Sequence, residues 1–349
     1  MWHNGPSFCE EAVISSAWGA ETKYFYAITP EKILDAVEAE GVLCTGRCLP
    51  LNSMENRVYE VEIELDEAPE NPSDRFRIAK FYRPGRWTKE QLLEEHQFLQ
   101  DLEEAEIPVV APLKFENGET LRKLDDIDIW YTLFPKKGGR NPDELTNFQV
   151  DQIGRLLARL HAVGASRKAP HRLQLSPQTY GIENLKYLID SRALPAHIEQ
   201  SYKQTVETIC QITAPWFEGA ECQRIHGDSH LGNLLLGSAG LFWVDFDDMV
   251  RGPCVQDVWL LLPGRDEYTL RQRDQMLEAY CQMRDFNYST LRLIEPLRAL
   301  RFVHFSAWIS KRWEDPAFPR AFPQYGDARY WEQQLMDLRE QLALIQQEA

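Results

Sequence analysis

Apolar positions recur along the chain with two different periods, and the change of period divides it. Residues 1–27 show no clear periodicity and read as a poorly ordered N-terminal extension. Pro30 then opens PEKILDAVEAEG, a helix that Thr29 can cap and Gly41 can end, with Ile33, Leu34 and Val37 on its apolar side. Next, NRVYEVEIEL (56–65) places Tyr59, Val61, Ile63 and Leu65 at alternate positions, the period of a half-buried strand. The turn-rich DEAPENPSD leads into a second strand, RFRIAKFY. Thr88 caps a helix whose Leu92, Glu95, Phe98, Leu99 and Leu102 recur at helical spacing. Further strands are expected between Ile107 and Phe134, around an Asn117-Gly118 hairpin turn.

The polar, glycine-containing stretch Lys136 to Arg140 reads as a linker, and beyond it the helical period dominates. Phe148, Ile153, Leu156, Leu157 and Leu160 support one helix ending near Gly164, and a second runs from about Leu194 to Phe217. Two short apolar runs, Leu234 to Leu236 and Leu241 to Val244, flank a Gly-Ser-Ala-Gly turn and predict a hairpin. Helices return over 272–283, 287–313 and 331–347. The expectation is a strand-rich lobe over 28–135 and a larger, mainly helical lobe over 136–349, an α+β class.

Length supports this division, since 349 residues exceed what one hydrophobic core usually serves. Apolar residues at 44% and charged residues at 26% are ordinary globular values. The formal net charge of -16 disfavours non-specific binding to nucleic acid or an anionic membrane surface. It leaves open a cationic substrate or a basic protein segment, although acidic surfaces mostly serve solubility. The 7 cysteines are odd in number and scattered, so no disulfide framework is expected. Cys44 and Cys48 lack the second ligand pair of a structural zinc site. There is no secretory signal and no apolar stretch long enough to span a bilayer, so a cytoplasmic location is expected. Nothing in the sequence encodes an oligomer, and a monomer is expected.

The chemistry concentrates in IHGDSHLGNLLLGSAGLFWVDFDD (225–248). His226, Asp228 and His230 alternate, Asn233 follows Asp228 by five, and Asp245 and Asp247 lie just past the hairpin. Phosphoryl transfer needs a carboxylate to orient and deprotonate a hydroxyl, and oxygen ligands for magnesium on the ATP phosphates. Asp228 suits the first role; Asn233 and Asp245, brought together by the hairpin, suit the second. Two rival readings remain on residues alone: a transition-metal hydrolase using His226, Asp228, His230 and Asp245, or a loop merely tied down by these side chains.

The order His226-Gly227-Asp228, Asn233, Asp245-Phe246-Asp247 resembles the catalytic and metal-binding motifs of the protein-kinase-like fold, in its aminoglycoside phosphotransferase and choline kinase branch. GRLLARLHAVG (154–164) resembles the helix of that branch that ends in a Leu-His pair. LNSMENRVYEV, RIAKFYRPGRW, LLEEHQFLQDL and YTLFPKKGGR resemble, more narrowly, the bacterial stress response kinase A family. The resemblance runs from about Pro30 to the end. It implies a bilobal kinase-like fold, ATP and magnesium as cofactors, and a protein substrate with a serine or threonine acceptor. It implies Asp228 as catalytic base, Asn233 and Asp245 as magnesium ligands, Lys80 on the phosphates, and Ser53 at the nucleotide. Glu95 is the implied partner of Lys80, with Glu94 the close alternative. His226 and His161 are implied as loop-holding residues.

Three departures qualify this picture. No GxGxxG precedes the second strand; backbone amides of Leu51 to Arg57 and the Ser53 hydroxyl would meet the phosphates instead. Asp247 stands where typical protein kinases have glycine, and either supports the metal or holds the loop. No Ala-Pro-Glu segment follows Asp245; Arg251-Gly252-Pro253 and Asp257 come directly. That short segment is a feature of the small-molecule branch and keeps an amino-alcohol or aminoglycoside-like acceptor as the alternative. A nucleotide-binding scaffold without turnover is the other class of reading, and the intact Asp228, Asn233, Asp245 and Lys80 oppose it.

Overall fold

The computed structural model describes residues 25–237 and 240–348. Most of the expected N-terminal extension and the Ser238-Ala239 hairpin tip lie outside these residues. Phe25, which the sequence assigns to the extension, is buried in the core of the sheet lobe beneath the guanidinium groups of Arg57 and Arg83.

The first lobe is a 5-stranded antiparallel sheet of order β1-β2-β3-β5-β4. Its strands are β1 (Cys44–Pro50), β2 (Arg57–Ile63), β3 (Phe76–Phe81), β4 (Arg122–Lys123) and β5 (Trp130–Pro135). Helix α1 (Pro30–Glu38) starts where Thr29 accepts the Lys32 amide, and Gly41 follows at φ 92, a conformation that glycine adopts without strain. It buries Ile33 and Val37 against Val61, Ile63, Phe81 and Leu133 of the sheet. Each fully buried side chain of this size contributes about 1.5–3 kcal/mol. Helix α2 (Lys89–Glu104) carries a complete capping box of Thr88 and Gln91 and buries Leu92, Phe98, Leu99 and Leu102.

The second lobe is mainly helical: α3 (Asn147–Ser166), α4 (Glu183–Asp190), α5 (Ala196–Glu218), α6 (Val255–Leu261), α7 (Glu267–Cys281), α8 (Ile294–Ser310), α9 (Ala317–Ala321) and α10 (Ala328–Glu348). Two small ribbons are set into it. Strand β6 (Gln223–Ile225) pairs with β9 (Val250–Gly252), and β7 (Leu234–Gly237) pairs with β8 (Gly240–Trp243). Leu157, Leu160, Trp243, Phe246 and Val258 share one core that extends to Phe98 and Leu102 of α2, so α2 belongs to both lobes' packing.

Several expectations need correction. Asn117-Gly118 does form a tight turn, with Gly118 at φ 81, but regular strand pairing begins only at Arg122. Strand β1 shows no alternation because it is an irregular edge strand, its register shifting between Cys44 and Cys48. Helix α6 carries no expectation from the sequence: all of its residues are buried, so no exposed face marks a helical period. Helix α4 carried no expectation at all. Helix α7 starts earlier than its apolar period, at an Asp266 cap, and the 287–313 segment divides into a 3-10 turn and α8. Phe148, counted on the apolar side of α3, is exposed in its first turn. The Lys136–Arg140 stretch has no regular structure before Arg140, which exchanges backbone hydrogen bonds with Leu236 of β7.

Candidate active site

Asp228 sits in the loop that joins β6 to β7. Gly227 turns this loop at φ 84, and a Cβ there would lie 2.3 Å from the Asp248 carbonyl, so only glycine fits. The loop amides are held from below by Asp257 of α6. Its carboxylate accepts from the His226 amide (2.9 Å) and the Gly227 amide (2.8 Å), and its backbone carbonyl accepts from the Ser229 hydroxyl (2.8 Å). His161 Nε2 lies 3.1 Å from the same carboxylate and its Nδ1 3.0 Å from the Tyr280 hydroxyl. Burial pulls the His161 pKa down, but the Cys254 thiol and the Asp257 carboxylate raise it to about 9. His226 is fully buried: Nε2 donates to the Val244 carbonyl (3.0 Å) and Nδ1 accepts the Asp228 amide (3.3 Å). Both ring nitrogens are therefore engaged in holding the loop, which removes His226 from any transition-metal ligand set.

The Asp228 carboxylate has a basic group on each oxygen. His230 Nε2 is 3.3 Å from Oδ2, and Arg301 Nη2 of α8 is 2.8 Å from Oδ1. Burial works against ionisation, but these two neighbours hold the carboxyl well below the usual carboxylate range. Asn233 donates its side-chain N–H to the Asp228 carbonyl (2.8 Å), which leaves its amide oxygen to offer a lone pair to a cation. The β7–β8 register sets Leu234 opposite Trp243, and the Val244 amide donates to the Asn233 carbonyl (3.0 Å). The hairpin thus brings Asn233 to the residue before Asp245. Asp245 adopts φ 58, ψ 69, which costs a non-glycine residue about 1–2 kcal/mol.

Lys80 enters from β3, where it pairs with Val58 and Thr132. Its ammonium lies 3.3 Å from Asp245 Oδ1, 3.2 Å from Asp247 Oδ1 and 3.9 Å from Glu95 Oε1. The two candidate glutamates of α2 are thereby distinguished by geometry. Glu95 is buried, facing Lys80 and bonded to Arg172 (2.8 Å), whereas Glu94 accepts the His171 and Arg172 backbone amides. Burial pushes the Glu95 carboxyl up to about 7, against the pull of Lys80 and Arg172. Asp247 is also buried, with Arg86 (2.7 Å) and the Asn56 amide (3.2 Å) on its other oxygen. Its carboxylate is occupied by protein partners.

The loop between β1 and β2 is held by side chains instead of glycines. The Ser53 hydroxyl accepts the Asn56 amide (3.3 Å), and Asn56 Oδ1 accepts the Arg83 amide (3.1 Å). Glu55 reaches across to the helical lobe, where Trp308 Nε1 (2.7 Å) and Arg312 Nε (2.6 Å) meet it, with Arg83 and Arg86 also at 3.3 Å. Arg83 bonds Asp315 of the helical lobe at 2.9 Å. Between the lobes lies a cavity of about 890 Å³. Leu51, Val58, Ile78, Phe134 and Leu235 give it an apolar wall; Ser53, Lys80, Asp228 and Asp245 line it as well.

All the predicted site residues therefore converge on one cleft, Ser53 and Lys80 from the sheet lobe, Glu95 behind Lys80, and Asp228 and Asp245 with Asn233 beside them from the helical lobe. Sequence reasoning missed Glu55, Arg86, Arg172 and Arg301. Each has at least one partner more than 70 residues away in the chain, and no local motif marks them.

Comparison with known proteins agrees with this architecture. The model of the phosphotransferase enzyme family matches residues 48–294. Stress response kinase A of Escherichia coli (strain K12) is 39% identical over 325 residues, 93% of this chain and 95% of that protein. The serine/threonine protein kinase RdoA of Salmonella typhimurium is 38% identical over 323 residues, 92% and 94% of the two chains. Among solved structures, an amicoumacin kinase in complex with AMP-PNP, Ca2+ and Ami aligns with a TM-score of 0.67 at 18% identity, over 87% of this chain and 95% of that one. A spectinomycin phosphotransferase in complex with ADP and spectinomycin aligns with a TM-score of 0.64 at 12% identity, over 90% and 98%. The fold is a bilobal α+β kinase-like fold, and the protein is a kinase, an enzyme that transfers phosphate. The chain belongs to the phosphotransferase enzyme family and, within it, to the stress response kinase A family.

Proposed function

We propose that this kinase transfers the γ-phosphate of ATP to serine or threonine hydroxyls of proteins, in a magnesium-dependent reaction serving a stress response. The observation that carries the reading is the convergence of Lys80, Asp245 and Asp228 on one cleft whose apolar wall suits an adenine ring. Residues 28–135 act as the nucleotide lobe and 136–349 as the catalytic and substrate lobe. Asp228 accepts the proton of the attacking hydroxyl as the bond from phosphorus to the β,γ-bridging oxygen breaks. Its low pKa suits a base that orients the hydroxyl and takes the proton late. Lys80, positioned by Glu95, binds the phosphates, and Ser53 with its loop amides covers them.

The donor set fits magnesium. The Asn233 amide oxygen and the half-exposed Asp245 carboxylate are hard oxygen donors, sparse enough to leave room for phosphate oxygens. Bound there, the ion neutralises charge on the phosphates. A protein acceptor is favoured by the name of the Salmonella relative. The small-molecule reading rests on the solved neighbours, an amicoumacin kinase, an aminopropanol kinase and a spectinomycin phosphotransferase. We take the protein to act as a cytoplasmic monomer without nucleic-acid or membrane partners. Among the described residues no helix is long and apolar enough to cross a membrane.

Transfer of labelled γ-phosphate from magnesium-ATP, by wild type and Asp228→Asn, tests the assignment. Label on protein that falls by about 10³-fold in the variant, with ATP still bound, is expected. Label only on a small alcohol would replace the protein acceptor with the alternative. Undiminished transfer by the variant would remove Asp228 from its role.

A further inference from the structure

The side of the cleft nearest Asp228 is built from one stripe of α8. Arg301, His304, Phe305 and Trp308 recur at spacings of three and four and all line the cavity. Phe305 is exposed, while the His304 ring stacks on Tyr180 with centroids 4.3 Å apart. Both oxygens of Asp228 have basic neighbours, so an acceptor hydroxyl must displace one before it can give up its proton there. Arg301 makes the shorter contact, and its side chain is 39% exposed, so it is free to turn toward an incoming group.

A guanidinium leaving a carboxylate is best served by a replacement anion, and among the described residues the cleft offers none without a basic partner. Every carboxylate that lines it already has a basic partner: Glu55 has Arg312, Glu60 has Lys136, Glu95 has Arg172, Asp245 has Lys80, and Asp247 and Asp248 share Arg86. Basic groups also gather on the His304 side of the cleft. Burial, together with Lys311, Arg301, Arg86 and Arg312, pushes the His304 pKa down to about 3, so that ring adds no charge of its own. The net charge of -16 does not contradict this, because exposed charges beyond about 8 Å are largely screened.

We propose that Arg301 selects the acceptor, leaving Asp228 for an acidic side chain that flanks the serine or threonine to be phosphorylated, so that acidic peptide segments are the preferred substrates. The exchange links recognition to catalysis: the same movement that seats the acidic residue uncovers one oxygen of the base. A basic segment would leave Arg301 on Asp228 and meet like charge. This inference rests on the protein-acceptor reading above and adds to it the chemistry of the segment.

The test uses two mixed-sequence peptide pools with a central serine, one with Asp and Glu at the flanking positions and one with Lys and Arg. Each is offered with labelled magnesium-ATP to wild type, Arg301→Gln and Arg301→Lys. Wild type is expected to label the acidic pool about tenfold more efficiently than the basic one, as one charge-assisted contact supports. Arg301→Gln loses that ratio mainly through KM for the acidic pool, and Arg301→Lys recovers part of it. Equal labelling of both pools by wild type, preference for the basic pool, or an unchanged ratio in Arg301→Gln would overturn the proposal. So would an equal fall in kcat for both pools, which would reduce Arg301 to a positioning residue for Asp228. Labelling of neither pool overturns the protein-acceptor reading, and this inference with it.

Discussion

The two loops that meet over the cleft are held in opposite ways. The Asp228 loop is anchored within its own lobe. A glycine at positive φ turns it, and the buried Asp257 carboxylate accepts two successive amides only 30 and 31 residues away. The Ser53 loop is anchored across the gap, through Glu55 to Trp308 and Arg312 and through Asn56 to Asp247, over distances of 191 to 257 residues in the chain. The first arrangement keeps the Asp228 loop in place whether or not the lobes close. The second makes the position of the Ser53 loop depend on how the lobes sit, so closure and ordering of that loop are coupled. The glycine-rich loop that the sequence lacks is replaced by ionic ties, which can be released and remade.

Breaking each anchor should reveal the contrast. Asp257→Ala strips a buried charge from two amides and from His161, and is expected to cost about 3–5 kcal/mol of stability, read as a lowered denaturant midpoint. Little change in the midpoint would show that the Asp228 loop is held by something else. Glu55→Gln should act less on stability than on function, raising KM for ATP by about tenfold and speeding amide exchange in residues 51–56. If exchange there is unchanged, the tie across the cleft does not order the loop.

A smaller effect is expected from pH. With Glu95 titrating at about 7, protons added below that value neutralise the carboxylate that faces Lys80, so kcat falls as pH drops through 7. Above 7 the carboxylate is charged and the arrangement is complete. The fall should be a few-fold, since Asp247 and Asp245 also face Lys80, and Glu95→Gln should be slower throughout and lack this limb. Smallest of all, Ser53→Ala removes one hydroxyl from a loop whose amides remain. A two- to threefold rise in KM for ATP checks this, and a larger rise would mean the hydroxyl is a principal phosphate contact.

The local features of the molecule were legible in its residues. Thr29 and Thr88 cap their helices, the alternation around Val61 and Ile63 forms the buried side of β2, and the spacing from Asp228 through Asn233 to Asp245 marks the ribbon that joins them. These follow from short-range rules of dihedral preference, periodicity and hydrogen bonding that a sequence carries directly. Only the tertiary structure decided that Glu95 and not Glu94 faces Lys80, because adjacent helix positions differ by about 100° of rotation and the packing of α2 selects between them. It also decided that Asp247 is occupied by Lys80 and Arg86, that Arg172 ties α2 to the Asp247 backbone, and that Arg301 sits on Asp228. Those are ion pairs between residues far apart in the chain. A charged residue carries no mark of which distant charge it will meet until the fold brings both into one buried cleft.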